Sequence, residues 1–232
     1  MAQANETMKD TLLDAALMHV AFDGWTEATF AAAIADTGVD PVVAKAVCPR
    51  GALDLAVAYH KRGDAAMVER LRTENLSDMR FRDRIAAAVR FRLEACEDKE
   101  AVRRGSTLFA LPNHAPEGAR LIWETCDVIW ETLGDTSEDV NWYTKRATLS
   151  AVYSSTVLFW LGDDSLGHQA TWEFLDRRID NVMQFEKFKS QVNSNPVLKR
   201  LLAGPNWVLG HVRAPVRGSK ANLPGSWGAN GG

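Results

Sequence analysis

The stretch "ADTGVDPVVAKAVCPRGAL", Ala35 to Leu53, decides how the rest of the chain is read. Gly38-Val39 turns the chain between two helical segments. Asp40-Pro41 then supplies an N-cap followed by Pro at the first helical position, where a missing N–H costs nothing. Pro49 stops this helix after about two turns. A short helix behind a Gly-containing turn has the outline of a DNA-reading helix-turn-helix. Reading positions call for side chains that bond base edges and phosphates. Here they hold Asp40, Pro41, Val42, Val43, Ala44, Lys45, Ala46 and Val47. Lys45 alone offers a cation, and Asp36 and Asp40 repel phosphate. The two valines are expected to pack inward, leaving Lys45 to look outward.

Charge points the same way. Residues 1–62 carry five basic side chains (Lys9, Lys45, Arg50, Lys61, Arg62) against eight acidic ones, a balance of 5 − 8 = −3. Affinity for a polyanion rests largely on phosphate neutralisation, so nucleic acid is not an expected partner. The whole chain of 232 residues has a formal net charge of −3. Five basic residues and no acid lie between Pro196 and Gly232, so the remainder carries −3 − 5 = −8. An acidic body with a basic tail points to a tail that meets an anionic surface.

Working outward, helical periodicity runs from Thr7 to about Gln191. Leu12, Leu13, Ala16, Leu17 and Val20 form the stripe of a first helix, ended by Asp23-Gly24. Thr26 caps a second helix carrying Phe30 and Ile34, and a fourth runs from about Gly51 to Arg72. Ile85, Val89, Leu93 and Cys96 mark a fifth. "PNHAPEG", Pro112 to Gly118, breaks the chain before a seventh helix with Trp123, Ile129 and Trp130, closed by Gly134. A long helix from Glu138 to Leu161 would span roughly 36 Å. "GDDSLG" then turns the chain into a ninth helix with Trp172, Leu175, Ile179 and Val182. No strand ladder is present in the pattern, so the fold class is all-α. Three regions follow: 1–62 as the helix-turn-helix module, 63–191 as a larger helical domain, and 192–232 as an amphipathic helix with a basic, Gly/Pro-rich tail.

Catalytic chemistry finds no motif. The five histidines (His19, His60, His114, His168, His211) lack the three- or four-residue spacing of helical metal ligands, so no metal or cofactor is expected. No phosphate-cradling glycine loop occurs. A hydrolase assembled around His168 and Asp163 stays open as a weak third reading. The three cysteines, Cys48, Cys96 and Cys126, read as reduced core residues of a cytosolic-type protein. The N-terminus shows no signal-peptide pattern, and the longest apolar run in "AVYSSTVLFWLGDD" is Val157 to Leu161, too short for a membrane span.

Two resemblances carry the functional reading. "LLDAALMHVAFDGWTEATFAAAIADTGVDPVVAKAVCPRGALDLAVAYH" resembles the N-terminal module of TetR-type regulators in the spacing of its helices and turns. A ligand-responsive transcription regulator is therefore the alternative function. "NWYTKRATLSAVYSSTVLFWLGDDSLGHQATWEFLDRRIDNVMQFEK", Asn141 to Lys187, resembles the accessory proteins of coenzyme Q (ubiquinone) biosynthesis that carry a TetR-like fold.

That resemblance implies function by binding instead of catalysis. It implies an isoprenoid quinone intermediate, or another apolar lipid, held among the helices of the larger domain. The lipid would be presented to the hydroxylase that acts on demethoxyubiquinone. Cavity candidates are Phe109, Leu111, Ile122, Ile129, Leu149, Val152 and Phe159, since aromatic-rich walls between helices suit polyisoprene. The partner-facing patch maps onto Trp142, Tyr143 and Arg146, with Asp139 one turn earlier. Trp, Tyr and Arg are the residue types enriched at binding hot spots, although the same spacing also suits the start of a core helix. The resemblance further implies a homodimer through the helices carrying Val152 and Ile179.

The tail supplies a membrane element. In "NPVLKRLLAGPNWVLGHVR", Val197, Leu198, Leu201 and Leu202 fall, with Val208 and Leu209, in a sector of about 140°. Lys199 and Arg200 lie outside that sector, and Trp207 is an interfacial anchor. A C-terminal helix packed on its own domain is the competing reading. With the resemblance, these features lead to the expectation of a cytoplasmic protein peripherally attached to the inner membrane of a bacterium.

Overall fold

The computed structural model describes residues 2–194, with side chains from 5 to 182; the membrane-binding candidates Val197, Leu198, Lys199, Arg200, Leu201, Leu202 and Trp207 lie outside the described residues. Nine α-helices and no strand make up the described residues. They are α1 (Ala2–Asp23), α2 (Glu27–Thr37), α3 (Pro41–Val47), α4 (Ala52–Thr73), α5 (Phe81–Glu94), α6 (Lys99–Ala110), α7 (Ala115–Thr132), α8 (Val140–Leu161) and α9 (Gln169–Ser194). A short 3-10 turn, Leu166–His168, leads into α9.

The local signals act as the sequence reading expects. The Thr26 hydroxyl accepts from the Thr29 N–H at the start of α2. Gly38 closes α2 in the left-handed region (φ 65°), and its N–H donates to the Ile34 carbonyl. The Asp40 carboxylate accepts from the Val42 N–H at 2.7 Å, and Asp139 caps α8 in the same way through Asn141 at 2.9 Å. Asp163 builds the start of α9. It accepts from the Ser165 N–H, the Thr171 N–H and the Thr171 hydroxyl, and these bonds hold its carboxyl far below the ordinary carboxylate range although burial opposes them.

One expectation fails at α3. Val42 is 78% exposed and Val43 41%, so the valines do not pack. The inward stripe of α3 is Ala44 and Val47 with Cys48 at its end, spaced three and four apart, and a seven-residue helix has room for only one such stripe. Lys45 does face outward, but it lies 3.6 Å from Glu27 and over the Phe30 ring.

Two main cores form. Leu12, Leu13, Val20, Trp25 and Phe30 build one; Val89, Ile129, Leu149, Val152 and Leu175 build the other. Helix α4 belongs to both, giving Leu55 and Ala56 to the first core and Met67 and Leu71 to the second. The expected limit between residues 62 and 63 thus falls inside an unbroken helix. Trp25 adds a second tie, donating its indole N–H to the Ala101 carbonyl of α6 at 3.1 Å. Among the described residues no helix is long and apolar enough to cross a membrane.

Candidate functional site

A cavity of about 380 Å³ opens between α4, α5, α6, α7 and α8. Small residues make the space. Gly105 and Gly118 sit inside α6 and α7, and a Cβ on Gly118 would lie 2.7 Å from the Phe109 Cβ. Apolar walls come from Trp25, Leu93, Val102, Phe109, Ile122 and Val157.

A polar cluster lines one side. The Arg92 Nε donates to Asp64 at 2.6 Å, and one terminal nitrogen donates to the His60 carbonyl at 2.9 Å. The Thr125 hydroxyl lies 3.0 Å from Asp64 and 2.8 Å from the His60 Nε2. Gly63 gives Arg92 its place, since a Cβ there would sit 2.4 Å from the guanidinium. Burial pushes His60 down to about 4 despite the pull of Asp64, so the ring is neutral near pH 7. Burial likewise pushes Tyr59 up to about 12 and raises the Cys96 and Tyr153 groups. For Arg92, burial works against the charge, but the paired Asp64 outweighs it and the guanidinium stays protonated. The cluster therefore holds one cation paired with one anion in an apolar surround.

Of the cavity candidates, Phe109 and Ile122 line this cavity. Leu149 and Val152 line a smaller one of about 230 Å³ among α5, α7, α8 and α9. Ile129 is fully buried core, Leu111 is exposed at the end of α6, and Phe159 is partly exposed and stacked on Phe174 at 4.5 Å. Val152 and Ile179, which mark the two helices expected to form a dimer, are themselves buried within the single chain.

The partner candidates divide. Trp142 is 8% exposed and Arg146 1%, so neither presents a surface. Arg146 donates from Nε to Asp127, and from one terminal nitrogen to both Asp135 and the Trp142 carbonyl at 3.1 Å. Its guanidinium also stacks 4.1 Å from the Trp142 ring. Asp135 takes Lys145 at 2.7 Å, and these bonds hold its carboxyl at about 2 although burial opposes them. Asp139 is exposed as the α8 cap, and Tyr143 is half-buried, with its ring edge against Trp142.

Sequence reading missed Tyr59, His60, Arg92 and Tyr153 at the cavity. The available signal was the glycines: Gly63, Gly105 and Gly118 are costly inside helices and mark places where something packs closely. Among the described residues no cluster of three or more His, Cys, Asp or Glu is placed to hold a metal ion.

The architecture is that of a TetR-like all-α protein. It matches the structure of a TetR transcriptional regulator from Nitrosomonas europaea with a TM-score of 0.61, covering 75% of this chain and 97% of that one, at 20% identity. At that identity the match speaks for the fold alone. Residues 115–186 match the COQ9 family model, which bears out the resemblance read from Asn141 to Lys187. The chain is 32% identical to the ubiquinone biosynthesis protein COQ9, mitochondrial, of Drosophila melanogaster over 80% of its own length and 58% of that protein. It is 29% identical to a probable ubiquinone biosynthesis protein coq9, mitochondrial, of Dictyostelium discoideum (80% and 62%), and 27% to the human COQ9 protein (83% and 63%). The chain thus spans about six-tenths of the length of these relatives. All three are named as mitochondrial proteins of eukaryotes, which overturns the expected placement in bacterial cytoplasm at an inner membrane.

Proposed function

We propose that this protein acts in ubiquinone biosynthesis by binding an isoprenoid quinone intermediate, or a similar apolar lipid, and presenting it to the demethoxyubiquinone hydroxylase. The cavity of about 380 Å³ carries the reading: its walls are largely apolar, and α7 and α8, which close one side of it, fall within the COQ9 match. Pockets for small apolar ligands range over roughly 300–1,000 Å³, so this one takes a head group and a short length of chain. The remaining chain would extend toward a membrane surface or the partner. Asp139 and Tyr143 are the accessible members of the expected partner patch, with Trp142 and Arg146 bracing them from below. Native mass spectrometry of the purified protein tests the reading, with co-bound apolar lipid as the expected result. Protein that is lipid-free and also takes up no added prenylated quinone would overturn it.

DNA-reading is the weaker alternative. The fold favours it, but α3 offers Val42 and Val43 to solvent where base-contacting side chains would be required, and Lys45 lies beside Glu27. A gel shift at low salt separates the two readings, because phosphate-driven binding is strongest there.

A further inference from the structure

The cavity is apolar at its exposed rim and carries a polar patch at depth, beside the buried Trp25, Leu93 and Leu121. Its exposed lining residues are apolar: Ala110, Ala115, Ala119 and Leu158, the last 66% exposed. Its deeply buried lining includes Arg92 and Tyr153, with Cys96 and His60 alongside. Each of the three Arg92 nitrogens already bonds a protein group: Asp64, the Cys96 sulfur and the His60 carbonyl. His60 and Thr125 bond each other. Tyr153 is different: it is 4% exposed, and among the described residues its hydroxyl makes no hydrogen bond. A hydroxyl that opens into an apolar cavity has an unused donor, and a ligand oxygen that meets it there gains a hydrogen bond.

The geometry points to Tyr153 as the hydrogen-bond donor to an oxygen acceptor on a neutral polar head, inserted head-first, with the apolar chain leaving past Ala119 and Leu158. The floor selects neutrality. Asp64 already balances Arg92, so a phosphate or carboxylate head would lose its water with no free cation to meet it. A quinone or phenol ring satisfies the site; a phospholipid head does not. This inference rests on the lipid-binding reading above and adds the orientation of the ligand and the residue that meets its head.

Binding to the chain of 232 residues tests it with three probes sharing one short prenyl chain: a benzoquinone, the plain hydrocarbon and the monophosphate. The quinone is expected to bind about tenfold more tightly than the hydrocarbon, the size of one hydrogen bond made in a buried site. Tyr153→Phe keeps the ring that packs in the core and is expected to erase that tenfold while leaving hydrocarbon affinity unchanged. Ala119→Trp, on an exposed position, is expected to weaken all three. Quinone binding unaltered in Tyr153→Phe, a preference for the phosphate, or binding indifferent to Ala119→Trp would each overturn the inference. Hydrocarbon binding without a quinone preference defeats the inference alone. Failure of every probe to bind defeats the lipid-binding reading as well.

Discussion

Helices α3 and α8 begin alike and end up opposite. Both open on an aspartate that caps its own helix, Asp40 in one and Asp139 in the other. In α3 the apolar pair Val42 and Val43 turns to solvent; in α8 the cation Arg146 is the largest fully buried side chain of the described residues. Hydropathy by itself assigns both the wrong way round. Side-chain fate is set by what the neighbouring elements bring. A seven-residue helix seated by Ala44 and Cys48 has no second face to bury, so its valines stay out. A guanidinium met by Asp127, Asp135 and the face of Trp142 finds its charge, its donors and its plane matched, so it goes in.

The contrast yields graded expectations. The largest effect belongs to Arg146→Ala, which leaves Asp135 buried without one of its two cations. A loss of about 3–5 kcal/mol is expected, read as a shift of the urea midpoint at constant slope. A loss below about 1 kcal/mol would mean the pair is solvated and the contrast with α3 is false. Acid comes next. The Asp135 carboxyl titrates near 2 in the folded protein, below its unfolded value near 3.8. Its contribution is therefore fully present above pH 4 and disappears as pH falls through 2. Asp135→Asn should be less stable than wild type at pH 6, and the gap should close toward pH 2; thermal melts across that range check both. Gly63→Ala should destabilise by about 1–3 kcal/mol, although Ala is ordinarily the better helix former, because the added methyl meets Arg92. Smallest is Val42→Ser with Val43→Ser, expected within about 0.5 kcal/mol of wild type. A large loss there would mean that α3 has a partner surface in solution.

Much of the fold is legible in the sequence because its signals are local. Thr26, Gly38, Asp40-Pro41 and Asp139 act through backbone groups two to four residues away, and those distances are fixed by the chain itself. The COQ9 pattern over residues 115–186 is likewise contiguous, and part of it does structural work: Asp163 gathers Ser165 and Thr171 to start α9. The cavity is assembled from five helices, and that information is not local. Phe109 and Ile122 were found because large apolar residues are plausible walls anywhere in this domain. Leu111 has the same character but falls one residue past the end of α6, where it is left 47% exposed. Tyr153, His60 and Arg92 were missed because an isolated tyrosine, histidine or arginine carries no mark of depth until Asp64 and Thr125 arrive from other turns of the chain.

The continuity of α4 bears on how this protein can be handled and altered. A fragment cut at residue 63 would begin in the middle of that helix and would lack the His60 carbonyl to which Arg92 donates. Its first remaining turn would fray, and Met67 would lose the cover of the residues before it. Deletion, fusion or domain exchange is better placed at Asn75–Ser77 or at Pro112–Asn113, where the backbone already turns through exposed or half-buried residues. The helix that gives Leu55 and Ala56 to the first core also walls the cavity, so neither can be altered without the other.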